Sequence, residues 1–292
     1  GEARGLVGET GAGKTTLALS ILRLLPERVG EVAGGSIVYD GQELLKLPEA
    51  EMLPLRGKRI SMIFQDPMTS LNPTQTVGDQ ILEVLNLHFP EMTRDEKNKR
   101  VDEMMTLVGI PPQRKKSFPH EFSGGMKQRV VIAMALVAEP ELLLADEPTT
   151  ALDVTIQAQI LELMKQLREK FNTSVMLITH DLGVVAQFCD SVSVVYAGRV
   201  VEYGPVEVVF QRKENHPYTA GLFNCIPNLH DDQPRLHPIA GHMADPRVEY
   251  KGCCFADRCE YATERCRTEA PSMHVCGEHG IMCHRYAEKE EF

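Results

Sequence analysis

One glycine-rich segment near the start constrains the fold of this 292-residue chain more than any other feature. It lies between a strand-like apolar run, Gly5–Val7, and a helical pattern that runs from Lys14 to Pro26. The segment fits G-x-x-x-x-G-K-S/T and reads Gly8-Glu9-Thr10-Gly11-Ala12-Gly13-Lys14-Thr15. After a strand and before a helix, such glycines let backbone N–H groups converge on phosphate oxygens. The pattern predicts a phosphate-binding loop (P-loop).

The polar residues of this P-loop have separate predicted roles. Lys14 would bridge the β- and γ-phosphates of a nucleoside triphosphate, and the Thr15 hydroxyl would coordinate Mg²⁺. Thr16 is placed to donate to the α-phosphate. The alternative is an ordinary glycine-rich turn between a strand and a helix, which requires neither the lysine nor the threonine. We therefore expect ATP and Mg²⁺ as ligands.

The rest of the chain up to about Tyr203 alternates short apolar runs with helical patterns, which predicts an α/β fold with a largely parallel sheet. The strand candidates are Gly5–Val7, Arg59–Phe64, Leu142–Ala145, Ser174–Thr179 and Ser191–Tyr196. A helical insertion is expected over about 76–138, with helices at Val77–Leu87, Arg94–Val108 and Gly125–Ala138. A further helix is predicted over Thr155–Phe171. After Gly204 the chain becomes irregular, which predicts a domain over 1–204 and a small Cys-rich domain over 205–292.

Composition excludes several classes of protein. The chain has 41 acidic and 31 basic residues and a formal charge of −10, which argues against binding to a nucleic-acid backbone. The longest apolar run, Val130–Ala138, is about half of the ~18–20 residues that a membrane span needs. The start of the sequence lacks the pattern of a signal peptide. We therefore expect a soluble chain in the cytosol, where disulfides are disfavoured.

A second acidic feature follows the apolar run Leu142–Ala145. Asp146 and Glu147 come directly after it, and an acid at the carboxyl end of a buried strand beside a P-loop holds the Mg²⁺ shell. Asp146 takes that role, whereas Glu147 points differently and is the candidate general base for the attacking water. An apolar strand that ends in two acids is often no more than an ordinary strand end. The P-loop in the same domain favours a functional role for Asp146 and Glu147.

Together with the P-loop and the Asp146-Glu147 pair, four further motifs form a set with a characteristic order. In chain order they are Gln65, the run Phe122–Arg129 with Ser123-Gly124-Gly125, the run Thr150-Ala151-Leu152-Asp153, and Thr179-His180-Asp181. Gln65 alone is an ordinary strand-end residue, and His180 alone is a neighbour of a helix cap. The order of the whole set resembles that of ABC-type ATPases, which implies a RecA-like P-loop nucleotide-binding domain with a helical insertion.

This resemblance implies a role for each element. Gln65 would sense Mg²⁺ and the attacking water, and His180 would be the switch histidine. Ser123, Gly124 and Gly125 resemble the signature motif, which closes on the γ-phosphate bound by a partner subunit. The run that ends at Asp153 resembles the D-loop, which places Asp153 among the nucleotide-binding residues.

Two runs narrow the resemblance to the ATP-binding subunits of dipeptide and oligopeptide importers. They are Phe64-Gln65-Asp66-Pro67-Met68-Thr69-Ser70-Leu71-Asn72-Pro73 and His216-Pro217-Tyr218-Thr219-Ala220-Gly221-Leu222. The resemblance implies a second ABC ATPase subunit, expected as a heterodimer, together with two membrane permeases and an extracytoplasmic substrate-binding protein. The chain would act at the cytoplasmic face of the membrane, with no nucleic-acid partner. Nickel and metal-chelate importers share part of the pattern and remain an alternative.

Two other functions are weighed against transport. A soluble ABC ATPase that acts on nucleic acid or ribosomes is disfavoured by the charge of −10 and by the lack of a basic tract. A non-catalytic regulatory subunit would need a degenerate site, but Lys14, Asp146, Glu147 and His180 are all present. The ATPase of an importer is the better interpretation.

Six of the eight cysteines fall between Cys253 and Cys283. Four close thiols in a reducing compartment indicate a metal or cluster site, and the spacing is not that of a zinc ribbon. Cys253, Cys259, Cys266 and Cys283 resemble the four-cysteine motif of this importer group, which implies a 4Fe–4S cluster. Zinc and uncoordinated or disulfide-linked thiols remain alternatives. The spare candidate ligands are Cys254, Cys276, His274, His279 and His284, whereas Cys189 and Cys225 are expected to be packing residues.

One part of the family pattern is missing ahead of the P-loop. ABC nucleotide-binding subunits normally carry an antiparallel β region there, with an aromatic residue that stacks on adenine, and only seven residues precede Gly8. We expect either a truncated sequence or a less tightly held adenine. The face that this region covers would then be exposed, which predicts lower stability and weaker nucleotide selectivity.

Overall fold

The computed structural model describes residues 1–26, 28, 30–150, 152–211, 214–226, 238–245 and 248–287. Its strands are β1 (Ala3–Val7), β2 (Val38–Tyr39), β3 (Gln42–Glu43), β4 (Ile60–Ile63), β5 (Leu142–Asp146), β6 (Ser174–Thr179), β7 (Ser191–Tyr196), β8 (Arg199–Pro205), β9 (His274–Cys276) and β10 (His279–Ile281). Its α-helices are α1 (Lys14–Ile21), α2 (Glu49–Met52), α3 (Pro67–Ser70), α4 (Val77–His88), α5 (Arg94–Leu107), α6 (Gly124–Leu136), α7 (Val154–Phe171), α8 (Leu182–Phe188), α9 (Val206–Gln211), α10 (Pro217–Asn224) and α11 (Glu264–Thr268). Short 3₁₀ helices span Leu44–Lys46, Pro112–Lys116, Pro119–Glu121, Ala256–Arg258 and His284–Tyr286.

The chain divides into two compact units. The first unit consists of Gly1–Ala3 and Thr15–Ile178. The second consists of Arg4–Lys14 and the described residues from Thr179 onward. The P-loop up to Lys14 therefore belongs to the second unit, whereas most of helix α1 belongs to the first.

The first unit contains a parallel sheet formed by β4, β5 and β6. Ile60 lies opposite Leu142, which in turn lies opposite Ser174. Most inner residues of these strands are buried, as expected for parallel strands that are covered on both faces, whereas Met62 and Met176 are partly exposed. The strands predicted at 59–64, 142–145 and 174–179 are therefore confirmed, with bounds that differ by one residue or none.

Helices fill the stretch of the first unit in which the sequence predicts a helical insertion. Residues 64–141 are all described, and they contain helices but no strand. Thr76 and Thr93 form the N-caps of α4 and α5, and the Thr93 cap is a capping box with Glu96. Helix α6 begins at Gly124, one residue before the predicted start, because Ser123 is its N-cap.

Helix α1 ends earlier than the periodicity predicted. It stops at Ile21 rather than Pro26, and Arg23 adopts a left-handed conformation with φ +53°. The backbone N–H of Leu24 then donates to the carbonyl of Leu19 over 2.8 Å, which closes the helix end as in a Schellman motif. The apolar residues after Ile21 follow a helical periodicity in sequence, although the helix does not continue through them.

The second unit contains a mixed sheet in the order β1, β7, β8, β10 and β9. Strand β1 pairs parallel with β7, and the other neighbours pair antiparallel. The expectation that the chain becomes irregular after Gly204 is therefore wrong for part of the C-terminal region. Strand β8 runs through Gly204, and both β10 and β9 extend the sheet beyond it. These two strands have three residues each and contain His and Cys, so no alternating pattern marks them.

A buried polar network holds this C-terminal sheet extension in the second unit. Glu202 of β8 has no exposed surface, and its Oε1 atom lies 2.8 Å from Nε2 of His279 in β10. Asn215 Nδ2 and the backbone N–H of His216 donate to the same carboxylate, each over 2.9 Å. A buried carboxylate needs several such partners to offset its lost hydration. His279 therefore serves the sheet rather than the cysteine motif.

Candidate functional site

The P-loop in the second unit is a tight turn between β1 and α1. Gly11 and Gly13 have φ values of +84° and +97°, which favour glycine. A Cβ atom on Gly8 would lie 2.2 Å from the carbonyl oxygen of Val195, so no side chain fits there. The loop is closed by a hydrogen bond of 3.1 Å from the backbone N–H of Ala12 to the Glu9 carbonyl. This compact backbone has the glycine-lined shape that a phosphate-binding loop requires.

The side chain of Lys14 folds back onto the backbone of the P-loop. Its Nζ atom donates to the carbonyl oxygens of Gly8 and Glu9 over 2.7 and 3.1 Å, and the residue is 7% exposed. The two carbonyl oxygens accept hydrogen bonds from the lysine Nζ donors, so the end of the side chain lies against the backbone of the loop. Thr10 is exposed at the tip of the loop.

Glu9 links the P-loop to the C-terminal part of the second unit. Its carboxylate forms two hydrogen bonds with the guanidinium of Arg258, of 2.7 Å from Nη1 to Oε2 and 3.1 Å from Nη2 to Oε1. Its backbone N–H donates to the hydroxyl of Tyr218 over 2.9 Å. Burial raises the pKa of Tyr218, so this hydroxyl remains protonated.

The first unit holds the predicted carboxylate pair at the end of β5. Asp146 is 2% exposed, and the half-buried Glu147 follows it with φ +46°. This left-handed conformation is strained for a residue with a side chain and costs roughly 1–3 kcal/mol. The extended backbone of β5 therefore ends at Asp146, and Glu147 begins the turn that follows.

Two side chains hold the carboxylate of Glu147. Gln65 Nε2 donates to Oε2 over 3.2 Å, and Thr150 Oγ1 donates to the same atom over 2.8 Å. The backbone N–H of Thr150 also bonds to the Glu147 carbonyl over 3.1 Å. The structure thus brings together two predicted site residues, Gln65 and Glu147, and adds Thr150 as a partner.

The predicted signature residues form the start of helix α6 in the first unit. Ser123 is the N-cap, and its Oγ atom accepts a hydrogen bond of 3.4 Å from the backbone N–H of Met126. Ser123 and Gly124 are exposed, whereas Gly125 packs so closely that an added Cβ would lie 2.6 Å from Cγ2 of Ile156. The helix N-terminus is thus exposed, as an anion-binding surface requires.

The remaining predicted residues lie at other element ends. Asp153 is the N-cap of α7, with Oδ1 accepting from the backbone N–H of Ile156 over 3.0 Å. Ala151 of the same run lies outside the described residues. Thr15 and Thr16 are exposed in the first turn of α1, and His180 is exposed just before α8 in the second unit.

The four cysteines of the predicted motif line one cavity in the second unit. They are Cys253, Cys259, Cys266 and Cys283, joined in the wall by residues that include His216, Phe255 and His284. Burial raises the pKa of Cys253 to about 12 and also raises those of Cys259 and Cys283. Within the part of the chain that the structure describes, no three Cys, His, Asp or Glu residues gather closely enough for one metal ion.

The spare candidate ligands have other contacts. Cys254 Sγ lies 3.8 Å from the carbonyl oxygen of Tyr196, and His284 Nε2 lies 2.9 Å from that of Glu269. His274 Nε2 lies 3.2 Å from the hydroxyl of Ser272. Cys189 is buried and Cys225 is partly exposed.

Comparison with known proteins identifies the family. The family profile described as "ABC transporter" matches residues 1–150. Oligopeptide transport ATP-binding protein OppD of Salmonella typhimurium is 50% identical over 273 residues, which cover 93% of this chain and 80% of the relative. Dipeptide transport ATP-binding protein DppD of Bacillus subtilis is 49% identical over 286 residues, covering 97% and 85%. The chain belongs to the ABC transporter family.

Two further comparisons refine this assignment to the ABC transporter family. The profile described as "Oligopeptide/dipeptide transporter, C-terminal region" matches residues 201–266. Among solved structures, a dimeric, post-hydrolysis state of the ATP-binding cassette MJ0796, bound to ADP and Pi, has a TM-score of 0.62 and 28% identity. It covers 70% of this chain and 85% of its own. The α/β ABC ATPase fold predicted from sequence is therefore confirmed.

As an ABC ATPase, the chain hydrolyses ATP, and ATP with Mg²⁺ is the expected ligand pair. The helices in the described part of the chain are all too short or too polar to cross a bilayer. Sequence reasoning missed three contacts: Thr150 on Glu147, and both Arg258 and Tyr218 on Glu9. Thr150 and Tyr218 stood in quoted motifs, and Arg258 precedes Cys259, but no local pattern indicates what these residues touch.

Proposed function

We propose that this chain is the ATP-hydrolysing subunit of an importer for dipeptides or oligopeptides across the cytoplasmic membrane. The observation that carries this proposal is the match of residues 201–266 to the C-terminal region of oligopeptide and dipeptide transporters. Relatives named for oligopeptide and dipeptide transport that align over more than nine-tenths of the chain support it. Binding and hydrolysis of ATP would open and close a pair of such subunits.

We propose that the residues of the nucleotide site have the roles that the order of the motifs implies. Glu147 is the general base, His180 and Gln65 assist it, and Asp146 with Thr15 and Gln65 holds Mg²⁺. The phosphates are bound by Gly8, Glu9, Thr10, Gly11, Ala12, Gly13, Lys14, Thr15 and Thr16. Ser123, Gly124, Gly125 and Asp153 contact nucleotide across a subunit pair. The hydrogen bond from Gln65 to Glu147 supports the pairing of those two roles.

The proposed domains and partners follow the same assignment. The nucleotide-binding domain covers 1–204 with its helical part at about 76–138, and the importer-type domain covers 205–292. The partners are a second ABC ATPase subunit in a heterodimer, two membrane permeases, and indirectly an extracytoplasmic binding protein. The chain would lie at the cytoplasmic face of the membrane, attached through the permeases.

We further propose that Cys253, Cys259, Cys266 and Cys283 hold a 4Fe–4S cluster. Four thiols around one cavity match its donor set, because each iron takes one cysteine thiolate. Zinc is the alternative, because four thiolates also suit a tetrahedral zinc site. When bound, the cluster would supply a cross-link that holds the C-terminal loops together.

The importer proposal is tested by assembling the full chain with its partner ATPase, permeases and binding protein in lipid vesicles. We expect ATP hydrolysis to rise when the binding protein carries a short peptide, and labelled peptide to accumulate inside. Stimulation by nickel or a metal chelate, with none by peptides, would contradict the peptide assignment. Stimulation by nucleic acid or ribosomes without transport would contradict the importer function altogether.

A further inference from the structure

The ion pair between Glu9 and Arg258 joins two segments of the second unit that are 249 positions apart in sequence. It is bidentate, and the Arg258 side chain is only 5% exposed, compared with 27% for Glu9. Such charge-assisted pairs are geometrically specific and strong when water is largely excluded. The pair is therefore a defined contact between the P-loop and the C-terminal region.

Arg258 has little freedom to leave this contact. Its Nε atom donates to the carbonyl of Ala240 over 3.0 Å, and its guanidinium lies 5.7 and 5.9 Å from the ring centres of Tyr196 and Phe255. These two rings pack edge to face, with centres 5.2 Å apart. The aromatic and carbonyl partners hold the guanidinium in the plane that meets Glu9.

Because Glu9 lies within the P-loop, the ion pair changes the charge at the expected triphosphate site. A carboxylate in a loop that receives a triphosphate adds a negative charge where the ligand is already negative, and this repulsion lowers affinity. The positive charge of Arg258 offsets it. The pair also orients the Glu9 backbone, whose carbonyl accepts from Lys14 and whose N–H donates to Tyr218.

The location of Arg258 links this pair to the cysteine motif. Arg258 ends the 3₁₀ helix Ala256–Arg258, between Cys253 and Cys259, and directly precedes Cys259. The backbone N–H of Cys253 donates to the carbonyl of Cys266 over 2.7 Å, so the segment is anchored at the cavity wall. Arg258 and Cys259 are consecutive residues, so a displacement of Cys259 acts directly on the backbone that carries Arg258.

We propose that Arg258 is a positioning residue for ATP, which neutralises Glu9 and transmits the state of the four-cysteine segment to the affinity of the P-loop. The proposal rests on the ATP site described under the proposed function. It assigns to the C-terminal region a control over nucleotide binding within one subunit. It also explains why an acidic residue is tolerated inside an anion-binding loop.

The test measures binding of Mg-ATP to the full chain by titration calorimetry. We expect Arg258→Gln to weaken binding by roughly tenfold or more, since it leaves the Glu9 charge uncompensated. Glu9→Gln/Arg258→Gln, which removes both charges, should recover most of that loss. Arg258→Lys should lie between them, because it keeps the charge without the bidentate geometry. The control is Arg265→Gln, which breaks an exposed pair with Glu269 and should bind ATP normally.

One more variant, Cys259→Ser, tests the link to the cysteines. Cys259→Ser should weaken ATP binding in the wild-type background and have little effect in Glu9→Gln/Arg258→Gln. Equal losses in the two backgrounds would show that Arg258 is not the route. If Arg258→Gln and the double variant bind ATP equally weakly while both melt like the wild type, neutralisation of Glu9 is refuted.

The binding data distinguish the role of Arg258 from the proposed ATP site. A wild-type chain that does not bind Mg-ATP contradicts the proposed ATP site. A wild-type chain that binds it, with an Arg258→Gln variant of the same affinity, contradicts only the role of Arg258. Thermal melting of each variant shows whether a loss of binding merely reflects unfolding.

Discussion

Gln65 Nε2 donates a hydrogen bond of 3.2 Å to Oε2 of Glu147, and both residues belong to the first unit. This contact joins the end of β4 to the end of β5, which are adjacent and parallel. An amide that donates to the carboxylate leaves its carbonyl oxygen for other ligands. Gln65 can therefore contact Glu147 through its amide nitrogen and a further ligand through its carbonyl oxygen at the same time.

The proposed role of Glu147 as general base predicts that Glu147→Gln reduces ATP turnover by at least about 100-fold in the assembled complex. The amide cannot accept the proton of water, but it preserves the size of the side chain. Phosphate release measures the effect, and nucleotide binding should persist. The control is Glu169→Gln on the exposed side of α7. Unchanged steady-state turnover in Glu147→Gln would disprove the assignment.

Thr150 should matter because its hydroxyl holds the Glu147 carboxylate at 2.8 Å. Thr150→Ala removes one hydrogen bond, worth about 0.5–1.5 kcal/mol, so we expect a loss of roughly two- to tenfold in kcat with little change in KM. Thr150→Ser keeps the hydroxyl and should retain most of the activity. An alanine variant with normal kcat would show that this hydrogen bond does not position the base.

The proposed cluster in the four-cysteine cavity predicts iron rather than zinc. Protein purified without oxygen should contain iron and acid-labile sulfide, and serine at Cys253, Cys259, Cys266 or Cys283 should lower both. Serine at Cys225 or Cys276, which do not line the cavity, should leave the iron content unchanged. Zinc without iron or sulfide would contradict the cluster.

Gly125 is predicted to be essential for packing α6 against α7. An alanine Cβ there would lie 2.6 Å from Cγ2 of Ile156, so Gly125→Ala should lower the free energy of unfolding by about 1–3 kcal/mol. Urea denaturation measures the loss. Gly124→Ala is the matched control, because its Cβ would lie 3.8 Å from Leu152. Replacing Ile156 with Ala should reduce the penalty at Gly125; an unchanged penalty would exclude this contact as the cause.

His88 gives the first unit a dependence on pH. Burial, followed by the charge of Lys58, holds the pKa of His88 below its ordinary value. Below about pH 6.5 the unfolded chain binds a proton there more readily than the folded chain, so acidification favours unfolding. We expect the melting temperature to fall less between pH 7.5 and 5.5 in His88→Gln than in the wild type. The exposed His120, changed to Gln, is the control. Equal falls in wild type and His88→Gln would contradict this prediction.

Local patterns predicted much of the first unit correctly. The apolar run that ends in Asp146 and Glu147 is strand β5, and the helices of the insertion begin within one residue of their predicted starts. Such patterns suffice where a buried strand is continuously apolar or a helix has a capping residue. The sequence did not predict the left-handed turn at Glu147, because a glutamate there has no local preference for it.

The C-terminal region shows why other features escaped prediction. Strands β9 and β10 are short and polar, and they are held by Glu202 and His279, which are far apart in sequence. Their pairing depends on a buried carboxylate that finds its partners only after folding. A periodic pattern cannot indicate such a network, so the region looked irregular.

The sequence by itself determined the chemistry: a P-loop that contains Lys14, the acids Asp146 and Glu147 at the end of β5, and the order of motifs that places the chain among ABC ATPases. Chemistry that depends on residue type and short spacing is readable from sequence because neighbours in the chain are neighbours in space. The tertiary structure decided which distant groups meet. Only folding places Arg258 on Glu9 and Gln65 on Glu147, since these pairs depend on long-range packing rather than on local conformational preference.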